Sequence, residues 1–240
     1  MKAARRYCNY EREILVLLSG HYLYRCQCFI DHNFLFIREI KIRGRLRQSG
    51  LALGMKKRII KPTPFGPVVI VWSRFGAKAK IIRVFISKPG LSAEGQAARI
   101  FPDLQTSSCP KINAACEKIK ARLEGKDVTV SLGLLDFKQC SEFQEVVLRA
   151  VYRIPKNRVS TYWLIARHLE KKNTSRAVGN ALANNPFPII IPCHRVVCSD
   201  RHLGGFQSGL VRKRALLEKE DVAFDSMDKL SRIRFYYDKT

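Results

Sequence analysis

The chain has 240 residues, 46% apolar and 27% charged, the composition of a globular protein long enough to bury a substantial core. No apolar run approaches the roughly 18 residues needed to cross a bilayer. Ile14–Leu18, behind Glu11 and Glu13, is too short for a signal-peptide core, so a cytoplasmic location is expected. The 44 Lys and Arg against 20 Asp and Glu give a formal charge of +24, which favours polyanions, nucleic acid first among them, as partners.

Residues 1–61 hold fourteen Lys or Arg and four Asp or Glu, a net +10. Within them Lys41-Ile42-Arg43-Gly44-Arg45-Leu46-Arg47 reads as a basic arm able to lie along phosphates. This stretch is expected to be a poorly ordered extension, dispensable for chemistry. The eight cysteines are scattered irregularly, which does not suggest a disulfide framework. Cys26-Gln27-Cys28 has the wrong spacing for a zinc pair, and no metal is expected.

From Pro62 the texture changes. Phe65-Gly66-Pro67 is a turn, Val68 to Trp72 a strand, Ser73 to Lys78 a second turn and Ile81 to Ile86 a second strand, together a hairpin. A short helix is expected over Ser92 to Arg99. Another runs from Pro110 to Leu123, with Ile112, Cys116, Ile119 and Leu123 at helical spacing and its end at Gly125. Val128-Thr129-Val130 is a candidate third strand. Residues 62–135 thus read as a small α/β scaffold with nothing catalytic in it.

Residues 137–227 read as helical. Phe143, Val146, Val147, Ala150 and Val151 share one face of a helix that stops near Pro155, and Lys156-Asn157-Arg158 is a turn. Thr161 caps a helix through Leu169; a polar turn, Glu170 to Thr174, leads to a helix from Ser175 to Ala183. Two short helices so joined fit helix-turn-helix spacing. Ala177, Gly179, Ala181 and Ala183 leave the second helix thin, with Arg176 near its start. A thin helix suits a minor groove, although small residues serve close helix packing equally well.

Pro186 to Val197 (Pro-Phe-Pro-Ile-Ile-Ile-Pro-Cys-His-Arg-Val-Val) reads as a buried extended approach that delivers Cys193 with His194 next to it. A thiol flanked by His and Arg is a candidate nucleophile, because nearby cations favour the reactive thiolate. In an extended segment neighbouring side chains point to opposite faces. His194 would then reach the sulfur only across a turn or through a water.

Ile189 to Val196, with Arg176-Ala177-Val178-Gly179-Asn180-Ala181 and Asn184-Asn185-Pro186 before it and Gly204-Gly205-Phe206, Gly209-Leu210, Lys213 and Leu216-Leu217 to Glu220 after it, resembles the O6-alkylguanine-DNA alkyltransferases, the methylated-DNA–protein-cysteine methyltransferases. Phe143-Gln144 through Ile154-Pro155 and Val159-Ser160-Thr161-Tyr162 fit as well. The resemblance is strong over 137–222, weaker over 62–135 and absent before; since family-like sequence begins just after Met55, Met55 is an alternative start.

The resemblance implies a two-domain α+β/α fold: a small α/β domain with an RNase H-like sheet, then a mainly helical winged-helix or helix-turn-helix domain. It implies one-shot transfer of an alkyl group from O6-alkylguanine, and from O4-alkylthymine as a further candidate, in double-stranded DNA to Cys193. The nucleotide is extruded because a stacked base cannot offer its O6 substituent to a buried sulfur. His194 acts as base through a water, Glu220 orients it, Tyr162 donates to the departing guanine and Asn185 holds the turn before the cysteine. Arg176, Ala177, Gly179, Tyr162 and Arg195 are implied to contact DNA, with Arg176 filling the space left by extrusion. Pro188, Val196, Gly204, Gly205, Phe206 and Ser208 are implied to line the pocket. No cofactor is required, and a monomer associated with cellular DNA is expected.

Some positions depart from the pattern. Arg201 in the Ser199–His202 loop replaces a usual glycine, Phe206 a common tyrosine, and Lys156-Asn157-Arg158 a glycine-containing turn. Two other classes compete: a non-catalytic protein that binds alkylated DNA, whose kind lacks the acceptor cysteine, and a Cys–His hydrolase, which would need an oxyanion hole not evident beside Pro192.

Overall fold

The computed structural model describes residues 54–238, apart from 77, 172, 232 and 234. The basic arm, Ile14–Leu18 and the Cys26–Cys28 pair lie outside the described residues. Alternating apolar residues build an antiparallel β2 (Val68–Phe75) and β3 (Lys78–Ile86), paired as the sequence suggests. The strands run on to Phe75 and Lys78, so the turn is tighter than Ser73–Lys78. Val68, Ile70 and Trp72 face one side of the sheet and Val69 and Val71 the other. A bulge opposite Val71 and Trp72 lets Ile81 and Ile82 each bury completely on opposite faces.

Two strands differ from expectation. β1 (Lys56–Ile60) lies within the stretch assigned to the extension, yet it is an inner strand of the sheet, whose order is β3-β2-β1-β4. Three successive cations hide its alternation. The Lys56 stem lies along the sheet, its ammonium 5.7 Å over the Trp72 ring. Val128–Val130 forms no strand. Val130 is buried, but its carbonyl accepts from the Tyr152 hydroxyl at 3.0 Å, and the fourth strand is β4 (Gln105–Thr106), parallel to β1.

Helix α1 (Ala93–Ile100), capped by the Ser92 side chain, covers one face of the sheet. Helix α2 (Pro110–Leu123) starts with Pro at its first turn and lays Ile112, Ala115, Cys116, Ile119 and Leu123 on the other. It ends at Gly125, whose φ of +86° suits glycine. A Cβ there would stand 2.3 Å from the Lys219 carbonyl oxygen, so the end of α2 abuts backbone. Gly125→Ala is expected to cost at least about 1–2 kcal/mol from the left-handed backbone alone. An unchanged urea midpoint would show that neither the backbone nor the Lys219 contact resists a side chain here.

The helical part comprises α3 (Glu142–Tyr152), α4 (Tyr162–His168), α5 (Ser175–Ala183) and α6 (Leu210–Lys219). On α3, Val146 is exposed rather than buried, and Leu148 takes the core position. Buried Gln144 donates to the Ala181 and Asn184 carbonyls at 3.1 and 3.0 Å, satisfying the open end of α5. Thr161 caps α4 as expected, accepting from the Leu164 N–H. Of the small residues on α5, Ala181 packs inward, while Ala177 and Gly179 are half-exposed and Ala183 is open. β5 (Ser160–Thr161) pairs parallel with β6 (Val196–Val197), and β7 (Ala223–Phe224) pairs antiparallel with β8 (Leu230–Ser231).

The chain beyond 227 also belongs to this fold. The Tyr236 N–H donates to the Val159 carbonyl at 2.7 Å, and Tyr237 stacks on His168 at 3.8 Å. One apolar core runs from the sheet through α2, α3 and α5 to Phe187, Ile189–Ile191 and Cys193. Edge strand β3 is tied to the same segment, the Val84 N–H donating to the Pro186 carbonyl at 2.8 Å. Among the described residues no helix is long and apolar enough to cross a membrane.

Candidate active site

The approach to Cys193 is buried, as the isoleucines imply, but it is a tight turn rather than an extended strand. The Ile191 N–H donates back to the Phe187 carbonyl at 2.8 Å, and Ile189 sits at φ +71°. A β-branched residue in the left-handed region is costly, on the order of 1–3 kcal/mol, and persists only where its surroundings enforce it. Asn185 enforces it in part: its side chain accepts from the Phe187 N–H at 2.9 Å and donates to the Ile191 carbonyl at 3.2 Å. Three β-branched residues read locally as strand; an asparagine fastening both ends of the loop overrides that preference.

Cys193 opens a single 3-10 turn, Cys193–Arg195. Successive side chains there point about 120° apart, so the opposition expected of an extended chain does not apply. His194 Nε2 lies 3.0 Å from Glu220 Oε1, with the histidine and the glutamate both almost wholly buried. Arg195 grips the same carboxylate with two N–H groups, each at 2.7 Å, and donates a third bond to the Ile154 carbonyl at 2.6 Å. Arg195 is only 4% exposed, so the expectation that it touches DNA is corrected: its guanidinium is spent on holding Glu220. Burial alone would raise the Glu220 carboxyl, but the hydrogen bonds from His194 and Arg195 and the charge of Arg195 outweigh it and hold the carboxyl well below the usual range.

Burial lowers the His194 pKa against the opposing pull of Glu220, so the imidazole is neutral at pH 7. Its Nδ1 is buried and makes no hydrogen bond within the described residues, which leaves it able to take a proton. Burial likewise raises the Cys193 thiol above its ordinary value, opposed by Asn185 and the charge of Lys213. The flanking cations therefore do not give a resting thiolate. The sulfur carries its proton until a base removes it.

Tyr162, first residue of α4, is half-buried over α5, where a Cβ on Gly179 would come within 3.8 Å of its ring. A Cβ on Gly204, whose φ is +65°, would stand 3.2 Å from the Tyr162 hydroxyl, so only glycine lets that loop close on the tyrosine. Phe206 meets the His194 ring edge-on at 6.4 Å. Pro188, Val196 and Ser208 are buried, and the Ser208 hydroxyl has no partner among the described residues. Gly205 is exposed, and Arg176 stands exposed on the first turn of α5.

Lys213 has a role the sequence did not assign. It is fully buried, and its ammonium collects the carbonyls of Val196 (2.6 Å), Leu203 and Gly205 (3.2 Å), binding β6 to the glycine loop; burial lowers its pKa to about 8. The available signal was its spacing: Leu216 and Leu217 lie three and four residues on, the buried face of α6. Arg122 is the second such residue, buried on α2 with its guanidinium 3.0 Å from the Ile190 carbonyl.

Cys193 thus stands next to a buried His–Glu–Arg cluster, on a helical fold in which α4 and α5 pack together and a four-stranded sheet lies behind. Residues 142–222 match the family model described as the DNA binding domain of 6-O-methylguanine DNA methyltransferase. It is similar to the methylated-DNA–protein-cysteine methyltransferase of Methanothermobacter thermautotrophicus, 40% identical over 48% of this chain and 64% of the relative. Overall the chain spans about half to two thirds of the length of the curated relatives it matches. Among solved structures, the Mycobacterium tuberculosis O6-methylguanine methyltransferase superposes with a TM-score of 0.54 at 29% identity, over 69% of this chain and 92% of that one. The same organism's OGT in complex with DNA gives 0.53 at 26%, over 70% and 92%.

Proposed function

We propose that this protein repairs DNA by moving the alkyl group of O6-alkylguanine irreversibly onto Cys193. The carrying observation is the pairing of a protonated, buried thiol with a neutral histidine that is fixed at Nε2 and open at Nδ1. The thiol proton passes through a water to His194 Nδ1. The sulfur then bonds to the alkyl carbon as the carbon–O6 bond breaks, and the electron pair goes to the guanine, which takes a proton or hydrogen bond from Tyr162. The imidazolium formed is stabilised by Glu220, whose charge Arg195 fixes in place. A thioether has no easy way back to a thiol, so each chain reacts once and needs no cofactor.

Helix α5 is read as the element that enters the minor groove, with Ala177 and Gly179 allowing close approach and Arg176 occupying the gap left by the extruded nucleotide. The sheet order, with three antiparallel strands and a parallel fourth, supports an RNase H-like reading of residues 62–135, extended back to β1. The β7–β8 hairpin, which meets α6 through Arg214 over the Phe224 ring, supports a winged-helix reading of the remainder. We read the protein as a cytoplasmic monomer acting on double-stranded DNA.

The test is incubation with duplex DNA containing O6-methylguanine and mass mapping of the modified peptide. Methyl on Cys193, at no more than one per chain, supports the proposal. Lesion binding by unmodified protein would replace it with a sensor role, and repeated turnover with hydrolysis. Arg176→Ala is expected to slow methyl uptake from duplex at least tenfold more than from single strands; equal slowing in both would remove the wedge role.

A further inference from the structure

Helix α2 belongs to the scaffold, yet its last turn reaches the site in two places. Arg122 Nη1 donates to the Ile190 carbonyl at 3.0 Å across 68 residues of chain, and three residues later Gly125 packs against the Lys219 carbonyl, next to Glu220. The first contact falls on the strained turn that presents Cys193, beside Ile189 at φ +71°. The second falls at the end of the helix that delivers Glu220. Arg122 also occupies the apolar face of α2, in register with Ile112, Ala115, Ile119 and Leu123. A guanidinium is a costly choice there unless its charge is used.

We propose that Arg122 is a positioning residue of the active site, holding the Ile189–Ile190 turn from the scaffold side and adding a second buried cation to the His194–Glu220–Arg195 cluster. The proposal rests on the reading that Cys193 accepts the alkyl group. The ionised groups acting on His194 are Glu220 at the end of α6, Arg195 in its own turn and Arg122 from α2. With Cys193 and His194 neutral, one carboxylate faces two guanidiniums, and Arg122 remains charged at neutral pH even though burial lowers its pKa to about 10. The surplus positive charge opposes protonation of His194 at Nδ1 and so preserves the base.

The test compares full-length wild type with Arg122→Met, Arg122→Gln and Arg122→Lys, measuring single-turnover methyl uptake from O6-methylguanine DNA as a function of pH. Arg122→Met is expected to be at least tenfold slower, with the acid limb of its pH–rate profile moved to higher pH, because His194 becomes easier to protonate. Arg122→Gln keeps a donor for Ile190 and recovers part of the rate but not the limb. Arg122→Lys restores charge and donor and recovers most of both. Wild-type rate and limb in Arg122→Met would overturn the proposal, and so would an Arg122→Lys protein as slow and as shifted as Arg122→Gln. Should Arg122→Met fail to fold, the comparison of Gln with Lys decides. Should wild type take up no methyl group, the alkyl-transfer reading fails by itself. Arg122 is then judged by iodoacetamide labelling of Cys193 against pH: the same order among the variants retains it, and identical labelling rejects it.

Discussion

Cys193→Ala is expected to take up no alkyl group while binding duplex DNA with unchanged affinity and salt dependence. The sulfur is the only heavy atom of that side chain beyond Cβ, and the residue is 7% exposed at the end of the main core. Its removal deletes the acceptor and little else, at a stability cost on the order of 1 kcal/mol. The groups read as contacting DNA, Arg176, Ala177 and Gly179, sit on α5, whose position is fixed by Gln144 and the inward Val178, Ala181 and Leu182. Binding should keep its linear fall with the logarithm of salt concentration, since the phosphate contacts are untouched. Fluorescence offers a direct readout. Of the two tryptophans, Trp72 is buried in the sheet and Trp163 is 52% exposed beside Tyr162 on α4. Alkyl uptake by the variant at another thiol, such as Cys198, would show that Cys193 is not the sole acceptor.

Glu220→Gln is expected to slow transfer at least tenfold and to cost about 3–5 kcal/mol of stability, because it leaves Arg195 buried without a countercharge. The pH dependence follows from two depressed groups. His194 in the fold titrates below its ordinary 6.5, so as pH drops under that value the unfolded chain takes up a proton first and stability declines. Glu220 in the fold titrates below its ordinary 4.5, so its contribution is complete above 4.5 and is lost as pH falls further. Wild type should therefore lose stability from about pH 6.5 downward, more steeply below 4.5. The gap between wild type and Glu220→Gln should narrow only in the lower range. Urea midpoints measured between those extremes check this, and a gap constant with pH would mean that the carboxylate charge is not what Arg195 and His194 bind.

Much of the site was legible because its parts are local. The thiol, its histidine, the asparagine eight residues earlier and the capped helix pair each sit within a short, ordered stretch of sequence, and α2, α4 and α5 fall where their spacing, caps and glycines put them. The misreadings share one cause. Arg195 looked like a surface cation because its neighbours in sequence give no hint of a carboxylate 25 residues on. Lys56-Lys57-Arg58 fell inside the stretch read as an extension because the strands that pair with β1 come later in the chain. The isoleucine run looked extended because the bonds that fold it into a turn come from Asn185 and from a scaffold arginine 68 residues away.

The amino-acid order alone determined which atom is proposed to react and which helix pair is read as meeting DNA, since proline stiffness, side-chain nucleophilicity and helix periodicity are properties of short segments. The tertiary structure decided the protonation states: a thiol kept neutral, a histidine kept basic, a carboxylate kept charged. Those depend on burial and on charges delivered from α2, α6 and the turn after α5, and distance through space is the one quantity that neighbouring letters do not carry.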